Sequence, residues 1–84
     1  MRREGIRVSV DSGVFDAFVA ERYGTLRGMA VESGVSERTL YRAKQNGFIS
    51  LEIAVDVCVA VDGTFEDVFG RQGERLRTVA SLSR

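Results

Sequence analysis

The chain has 84 residues with 12 basic and 12 acidic side chains, so its formal net charge at pH 7 is zero. Because it has one cysteine and no histidine, an internal disulfide, Ser–His and Cys–His nucleophilic sites and a cysteine metal cluster are excluded. The length predicts a single small domain, and since no segment reads as a membrane span, we expect a cytoplasmic protein.

The N-terminal residues 1–10 predict a short strand or an extended arm. In "EGIRVSV" apolar residues alternate with polar ones, the period expected of a strand. The following "DSGVFDAFVAERYG" places Phe15, Phe18 and Val19 on one helical face. We therefore predict a first helix that Asp11 or Ser12 caps and that Gly24 ends.

Two short helices follow, each with a capping residue before it and a glycine after it. Thr25 is expected to cap "LRGMAVESG", with Gly34 supplying the turn, and Ser36 to cap "ERTLYRAKQN", which Gly47 ends. "TFEDVFG" predicts a last short helix capped by Thr64, and residues 71–84 read as a polar, basic tail.

The segment from 49 to 63 fits two patterns. Alternating valines favour a strand, whereas an apolar stripe at helical spacing, with Ser50 as cap and Gly63 as stop, favours a helix. Its length of twelve residues or more favours the helix. Cys58 is expected to be a small core residue. The flank formed by Val55 and Val59 is either ordinary packing or a dimer surface.

"TLRGMAVESGVSERTLYRAKQNG" followed by "SLEIAVDVCVAVDGTFEDVF" resembles the helix-turn-helix domain of the Cro and lambda-repressor family over about residues 12–69. The resemblance lies in the order of the five helices and in these motif residues: Thr25, Ala30, Gly34, Val35 and Ser36. It implies a compact, all-α five-helix bundle over residues 11–70, a helix at 49–63, and a recognition helix, 36–46, that enters the major groove. "QNGFIS" is about one residue shorter than the family's usual loop after that helix.

The family also implies roles for particular side chains in a sequence-specific, double-stranded DNA-binding transcription regulator, a phage Cro-like or small repressor protein acting as a symmetric homodimer. The base-reading residues would be Ser36, Glu37, Arg38, Thr39 and Arg42. The phosphate-contacting residues would be Thr25, Arg27, Tyr41, Lys44, Gln45 and Asn46, with Arg2 and Arg3 on the arm. Arginine suits guanine O6 and N7, and Glu37 suits a cytosine amino group. Tyr41 is equally well read as a packing residue.

Three alternatives stay open. Arg38 and Arg42 are read more simply as solvated surface residues. "GVSERTLYRAKQNGFI" also resembles the start of MerR-like and excisionase winged helices, which would need a β-wing after Gly47. Third, an antitoxin-like protein-interaction module would use the acidic residues of the last two helices. We expect no enzyme activity, cofactor, metal, small-molecule ligand or membrane partner.

The charges are segregated along the chain. Residues 1–10 and 36–50 each have a surplus of two positive charges, and residues 70–84 a surplus of three. Residues 51–69 contain five acidic and no basic side chains, and residues 11–35 have a surplus of two negative charges. A neutral total is therefore compatible with a locally basic binding surface. For the dimer we consider two contacts: "IRVSV" paired with its mate, or "FEDVF" with the apolar flank of the fourth helix.

Overall fold

The computed structural model describes residues 6–72, which form five helices and a two-stranded sheet. In chain order the elements are β1 (Arg7–Ser9), α1 (Ser12–Arg22), α2 (Leu26–Ser33), α3 (Glu37–Asn46), β2 (Phe48–Ser50), α4 (Leu51–Val61) and α5 (Phe65–Phe69). The predicted mostly helical fold and N-terminal strand are confirmed. The all-α description needs one correction, because β1 pairs with a second strand, β2, that the sequence did not reveal.

Each helix begins at a side chain that accepts a hydrogen bond from a backbone N–H of the first turn. The five caps are Asp11, Thr25, Ser36, Ser50 and Thr64. The first helix is thus capped by Asp11 rather than by Ser12. In α5 the cap is reciprocal, since the Asp67 carboxylate accepts the backbone N–H of Thr64. The remaining cap predictions are confirmed.

Two of the predicted helix ends are one residue too late. Helix α1 ends at Arg22 with Tyr23, not the predicted Gly24, as its C-terminal cap. Gly34 ends α2 at a φ of 73°, a left-handed conformation that glycine adopts without a Cβ penalty, and α3 begins three residues later, after its cap Ser36. Helix α4 ends at Asp62, whose φ is 54°, and not at Gly63 as predicted. Asp62 tolerates this conformation better than most non-glycine residues do. Because residues 51–61 are helical, the strand reading of this segment is wrong.

The two-stranded sheet pairs the strand before α1 with the strand that follows α3. β1 and β2 are antiparallel, with Val8 opposite Ile49, and both of these side chains are buried. The backbone N–H of Leu51 continues the pairing by donating to the carbonyl oxygen of Ile6 at 3.1 Å. The N-terminal strand therefore has a strand partner within its own chain and does not need a second copy of the chain to be paired.

The second edge of β1 is occupied by the side chain of Gln72. Its Oε1 accepts the Ser9 N–H at 2.8 Å, while its Nε2 donates to the carbonyl oxygens of Ser9 at 2.8 Å and Gly70 at 2.9 Å. Gln72 is 4% exposed, although the sequence assigned it to the polar tail. The packed body thus extends to the last described residue, and the rest of the predicted tail, 73–84, lies outside the described residues.

The core lies between the helices and the inner face of the sheet. Phe15 of α1 and Phe69 of α5 stack with ring centroids 5.9 Å apart, and both are fully buried. Met29 of α2 and Leu40 of α3 are equally buried, so the two helices share this core. Cys58 is buried, as predicted. Among residues 6–72, no helix has both the length and the apolar character needed to cross a membrane.

Candidate nucleic-acid interface

Helix α3 has one face in the core and the opposite face in solvent. Leu40 is fully buried and Ala43 is 4% exposed, and these two residues pack α3 against the bundle. At 100° per residue, the opposite face presents the exposed side chains of Arg38, Tyr41, Arg42 and Gln45. Arg38 and Arg42 are four residues apart and therefore lie one turn apart on this face.

The arginines of this face have no acidic partner within the described part of the chain. On and beside α3, ion pairs join Arg27 to Glu37 and Lys44 to Asp16, and neither pair includes Arg38 or Arg42. The guanidinium groups of Arg38 and Arg42 are thus left to solvent or to a ligand. An anionic partner would not have to displace a carboxylate to reach them.

The N-terminus of α3 contains two hydroxyl groups that bond to each other. The Oγ of Ser36 accepts the backbone N–H of Thr39 at 3.1 Å and lies 2.8 Å from the Oγ1 of Thr39. One hydroxyl proton is used in this bond, and the other remains available to a ligand. Ser36 therefore serves the helix as its cap, and its predicted base contact has to share that oxygen.

Glu37 and Arg27 form a weak link between α2 and α3. The Arg27 Nε lies 3.8 Å from the Glu37 Oε1, and the two side chains are 82% and 51% exposed. A pair this exposed contributes little to stability, so either partner can leave it for a ligand at small cost. Both residues stay accessible for the contacts that the sequence predicts. At the start of α2, the Thr25 hydroxyl accepts the Gly28 N–H at 3.1 Å.

In the C-terminal half of α3, Lys44 differs from the other predicted contact residues because it pairs with a residue of α1. The Lys44 Nζ lies 2.9 Å from the Asp16 Oδ1, so its charge is directed to α1. On the outward face, the Gln45 Nε2 donates to the hydroxyl oxygen of Tyr41 at 2.8 Å, and Tyr41 is 50% exposed. Asn46 is exposed at the last turn. Tyr41 is therefore a surface residue and not part of the core.

Two residues that the sequence analysis did not single out lie at the end of α3. The guanidinium carbon of Arg7 lies 4.4 Å from the centroid of the Phe48 ring, above its face. The alternation in β1 would have placed Arg7 outward, because Ile6 and Val8 point inward. Nothing in the short sequence after Gly47 indicated that Phe48 would lie under it. The predicted arm residues Arg2 and Arg3 lie outside the described residues.

Residues 6–72 contain no group of three or more carboxylate or cysteine side chains that could hold a metal ion. Burial, with a smaller contribution from the nearby charge of Asp67, raises the pKa of the Cys58 thiol from 9.0 to about 12. The thiolate is the nucleophilic form, so this cysteine is unreactive near neutral pH.

Comparison of the chain with known protein families, with curated proteins and with solved structures finds no match.

Proposed function

We propose that this protein is a sequence-specific regulator of transcription that binds double-stranded DNA with α3 in the major groove. The observation that carries the proposal is the outward face of α3. Arg38 and Arg42 lie there one turn apart without a carboxylate partner among residues 6–72, while Leu40 and Ala43 hold the other face in the core.

The dimensions and chemistry of this face suit base recognition. An α-helix with its side chains is about 10–12 Å across, and the major groove of B-DNA is about 12 Å wide. An arginine on the inserted face donates two hydrogen bonds to guanine O6 and N7, and each such pair discriminates against a wrong base by about 1–3 kcal/mol. Glu37 beside Arg38 accepts from a cytosine amino group and disfavours bases without a donor there.

The proposed phosphate contacts are made by residues at the two ends of the surface that α2 and α3 form. Thr25 and Arg27 lie at the start of α2, and Gln45 and Asn46 at the end of α3, all of them exposed. Backbone phosphates bordering a groove are usually met by such flanking residues, which fix the register of the helix. Lys44 is left out of the proposed contacts, because Asp16 already holds its ammonium group.

The resemblance to the Cro and lambda-repressor family supports the same proposal. The order of the helices, the left-handed turn at Gly34 and the Ser36 cap support our reading of α2 and α3 as a helix-turn-helix. In that reading the protein is a small cytoplasmic repressor, and a homodimer binds two half-sites about one helical turn apart. Because β1 is paired inside its own chain, we favour helices α4 and α5 over the N-terminal strand for the dimer contact.

A second candidate function is a protein-interaction module that uses the outer side of α4. Val59 is 77% exposed there, on the same helix as the exposed acidic residues Glu52 and Asp56. An apolar residue among carboxylates suits a basic protein partner better than it suits DNA. In this case the arginines of α3 would be ordinary solvated side chains.

Selection from a random duplex pool, followed by fluorescence anisotropy, tests the first function against the second. The wild-type protein should enrich a sequence and prefer it over a scrambled duplex. Arg38→Ala should lose most of that preference, and Arg42→Glu should abolish binding. Arg22→Ala, which removes an arginine from the far end of α1, is the matched control and should bind normally. If no sequence is enriched, or if Arg42→Glu binds as the wild type does, the DNA-binding proposal is refuted.

A further inference from the structure

The outer side of the two-stranded sheet is a small exposed surface whose side chains do not contribute to the core. We call it the ribbon face and define it by the outward residues Arg7 and Ser9 of β1 and Phe48 of β2. Ser9 lies directly opposite Phe48 in the pairing, and Arg7 lies above the Phe48 ring. All three residues are exposed, while Val8 and Ile49 on the inner side fill the core.

The cation–π contact fixes where the positive charge of the ribbon face lies. The guanidinium carbon of Arg7 lies over the Phe48 ring, 4.4 Å from its centroid. A guanidinium group has five N–H donors, so a contact with a ring leaves donors for an anionic partner. No carboxylate among residues 6–72 forms an ion pair with it. An arginine held in this way loses less conformational entropy on binding a phosphate than a freely moving one would.

The ribbon face is continuous with α3. Only Gly47 separates Phe48 from Asn46, the last residue of the helix. The rise per residue puts Asn46 about 12 Å along the axis from Arg38, which is close to the width of the major groove. If the start of α3 contacts base edges, the end of α3 and the ribbon face next to it lie near one of the two sugar-phosphate backbones that border the groove.

We propose that the ribbon face is a second DNA contact, in which Arg7, held by Phe48, binds a backbone phosphate of the duplex that α3 reads. This rests on the proposed function. The occupant follows from charge complementarity, because the face presents a guanidinium group and the Ser9 hydroxyl and no carboxylate of the described residues. The contact is independent of base sequence and fixes the angle at which α3 enters the groove.

Salt dependence of binding measures a phosphate contact directly. Each phosphate neutralised on B-DNA contributes about 0.9 to the slope of log affinity against log salt. Arg7→Gln should therefore lower the steepness of the slope by about 0.9 and weaken binding about fivefold to tenfold near 0.1 M salt. The loss should be equal for the selected and the scrambled duplex, whereas Arg38→Ala should change their ratio.

Arg22→Gln is the matched control for Arg7→Gln. Arg22 also lies over an aromatic ring, with its guanidinium carbon 5.1 Å from the centroid of Phe18, and its loss changes the net charge by the same amount. It donates to the Val61 carbonyl at the C-terminal end of α4, whereas the ribbon face lies next to the N-terminal end of that helix. Equal slopes for Arg7→Gln and Arg22→Gln, with wild-type binding intact, would overturn the ribbon contact and leave the proposed function standing.

A fluorescent residue supplies a readout that does not depend on affinity. The chain has no tryptophan, so Phe48→Trp introduces a single such probe on the ribbon face. Its emission should change on addition of saturating selected duplex, and that of Val59→Trp on α4 should not. An unchanged Phe48→Trp emission under saturation refutes the inference. Absence of wild-type binding to any duplex, selected or scrambled, refutes both this inference and the proposed function.

Discussion

Replacing Gln72 tests whether the residues directly after α5 are held against β1 by a single side chain. Gln72→Ala removes three hydrogen bonds of 2.8–2.9 Å to the backbone of Ser9 and Gly70. A typical intramolecular hydrogen bond contributes about 0.5–1.5 kcal/mol net. Because water can reach the exposed Ser9 backbone once the amide is gone, the lower half of that range applies, and the total loss is about 2 kcal/mol.

A loss of this size is measurable by thermal melting followed by circular dichroism. One kcal/mol shifts the Tm of a 60–100-residue domain by about 4–8 °C, so Gln72→Ala should lower it by about 10 °C. Gln72→Glu keeps the acceptor for Ser9 N–H but turns an acceptor toward two carbonyl oxygens. It should cost at least as much at neutral pH and recover partly in acid, where the protonated carboxyl group donates one bond.

Gln45→Ala is the matched control, since it truncates an exposed glutamine whose hydrogen bond goes to the Tyr41 hydroxyl. A surface change of this kind lies within about 0.5 kcal/mol of the wild type. If Gln72→Ala melts within about 2 °C of Gln45→Ala, a difference of less than about 0.5 kcal/mol, the three hydrogen bonds do not hold this part of the chain against β1.

Three further predictions concern the core. Leu40→Ala should lower the free energy of unfolding by about 2–5 kcal/mol in urea titrations, because it empties a fully buried site beneath α3. Gly70→Ala should cost about 2 kcal/mol in the same assay, since its Cβ would lie 2.8 Å from the Asp11 Cβ at a φ of 99°. Cys58 should resist iodoacetamide in the native state at neutral pH. Folding raises the pKa of the Cys58 thiol from 9.0 to about 12. The contribution of this thiol to the free energy of unfolding is therefore fully present below pH 9 and should be lost as the pH rises from 9 to about 12.

Helix starts were the most predictable part of the fold, because they depend on side chains within three residues of one another. Thr25, Ser36, Ser50 and Thr64 each accept a first-turn N–H as the sequence indicated. The end of α4 was placed one residue late, since Gly63 is the usual residue for a left-handed turn and Asp62 takes that conformation instead.

Long-range contacts were not predictable from the local pattern. β2 has three residues, too few for an alternation to be visible, and its partner β1 lies before three intervening helices. Gln72 is a polar residue in a polar segment, and only its bonds to Ser9, 63 residues away, make it part of the core. In the candidate interface, local spacing correctly put Arg38 and Arg42 on the exposed face of α3. It could not show that Lys44 pairs with Asp16 of α1.

The zero net charge has a consequence for how such a protein would find its site. Five acidic side chains on residues 51–69 offset the basic ones elsewhere, so the long-range field of the whole chain is weak. Association with DNA then gains little from steering, and non-specific binding neutralises few phosphates. Under the proposed function, affinity has to come from short-range contacts: the paired arginines of α3, the ribbon face, and a second copy of the chain. Loss of any one of these should therefore weaken binding more than it would in a strongly basic domain.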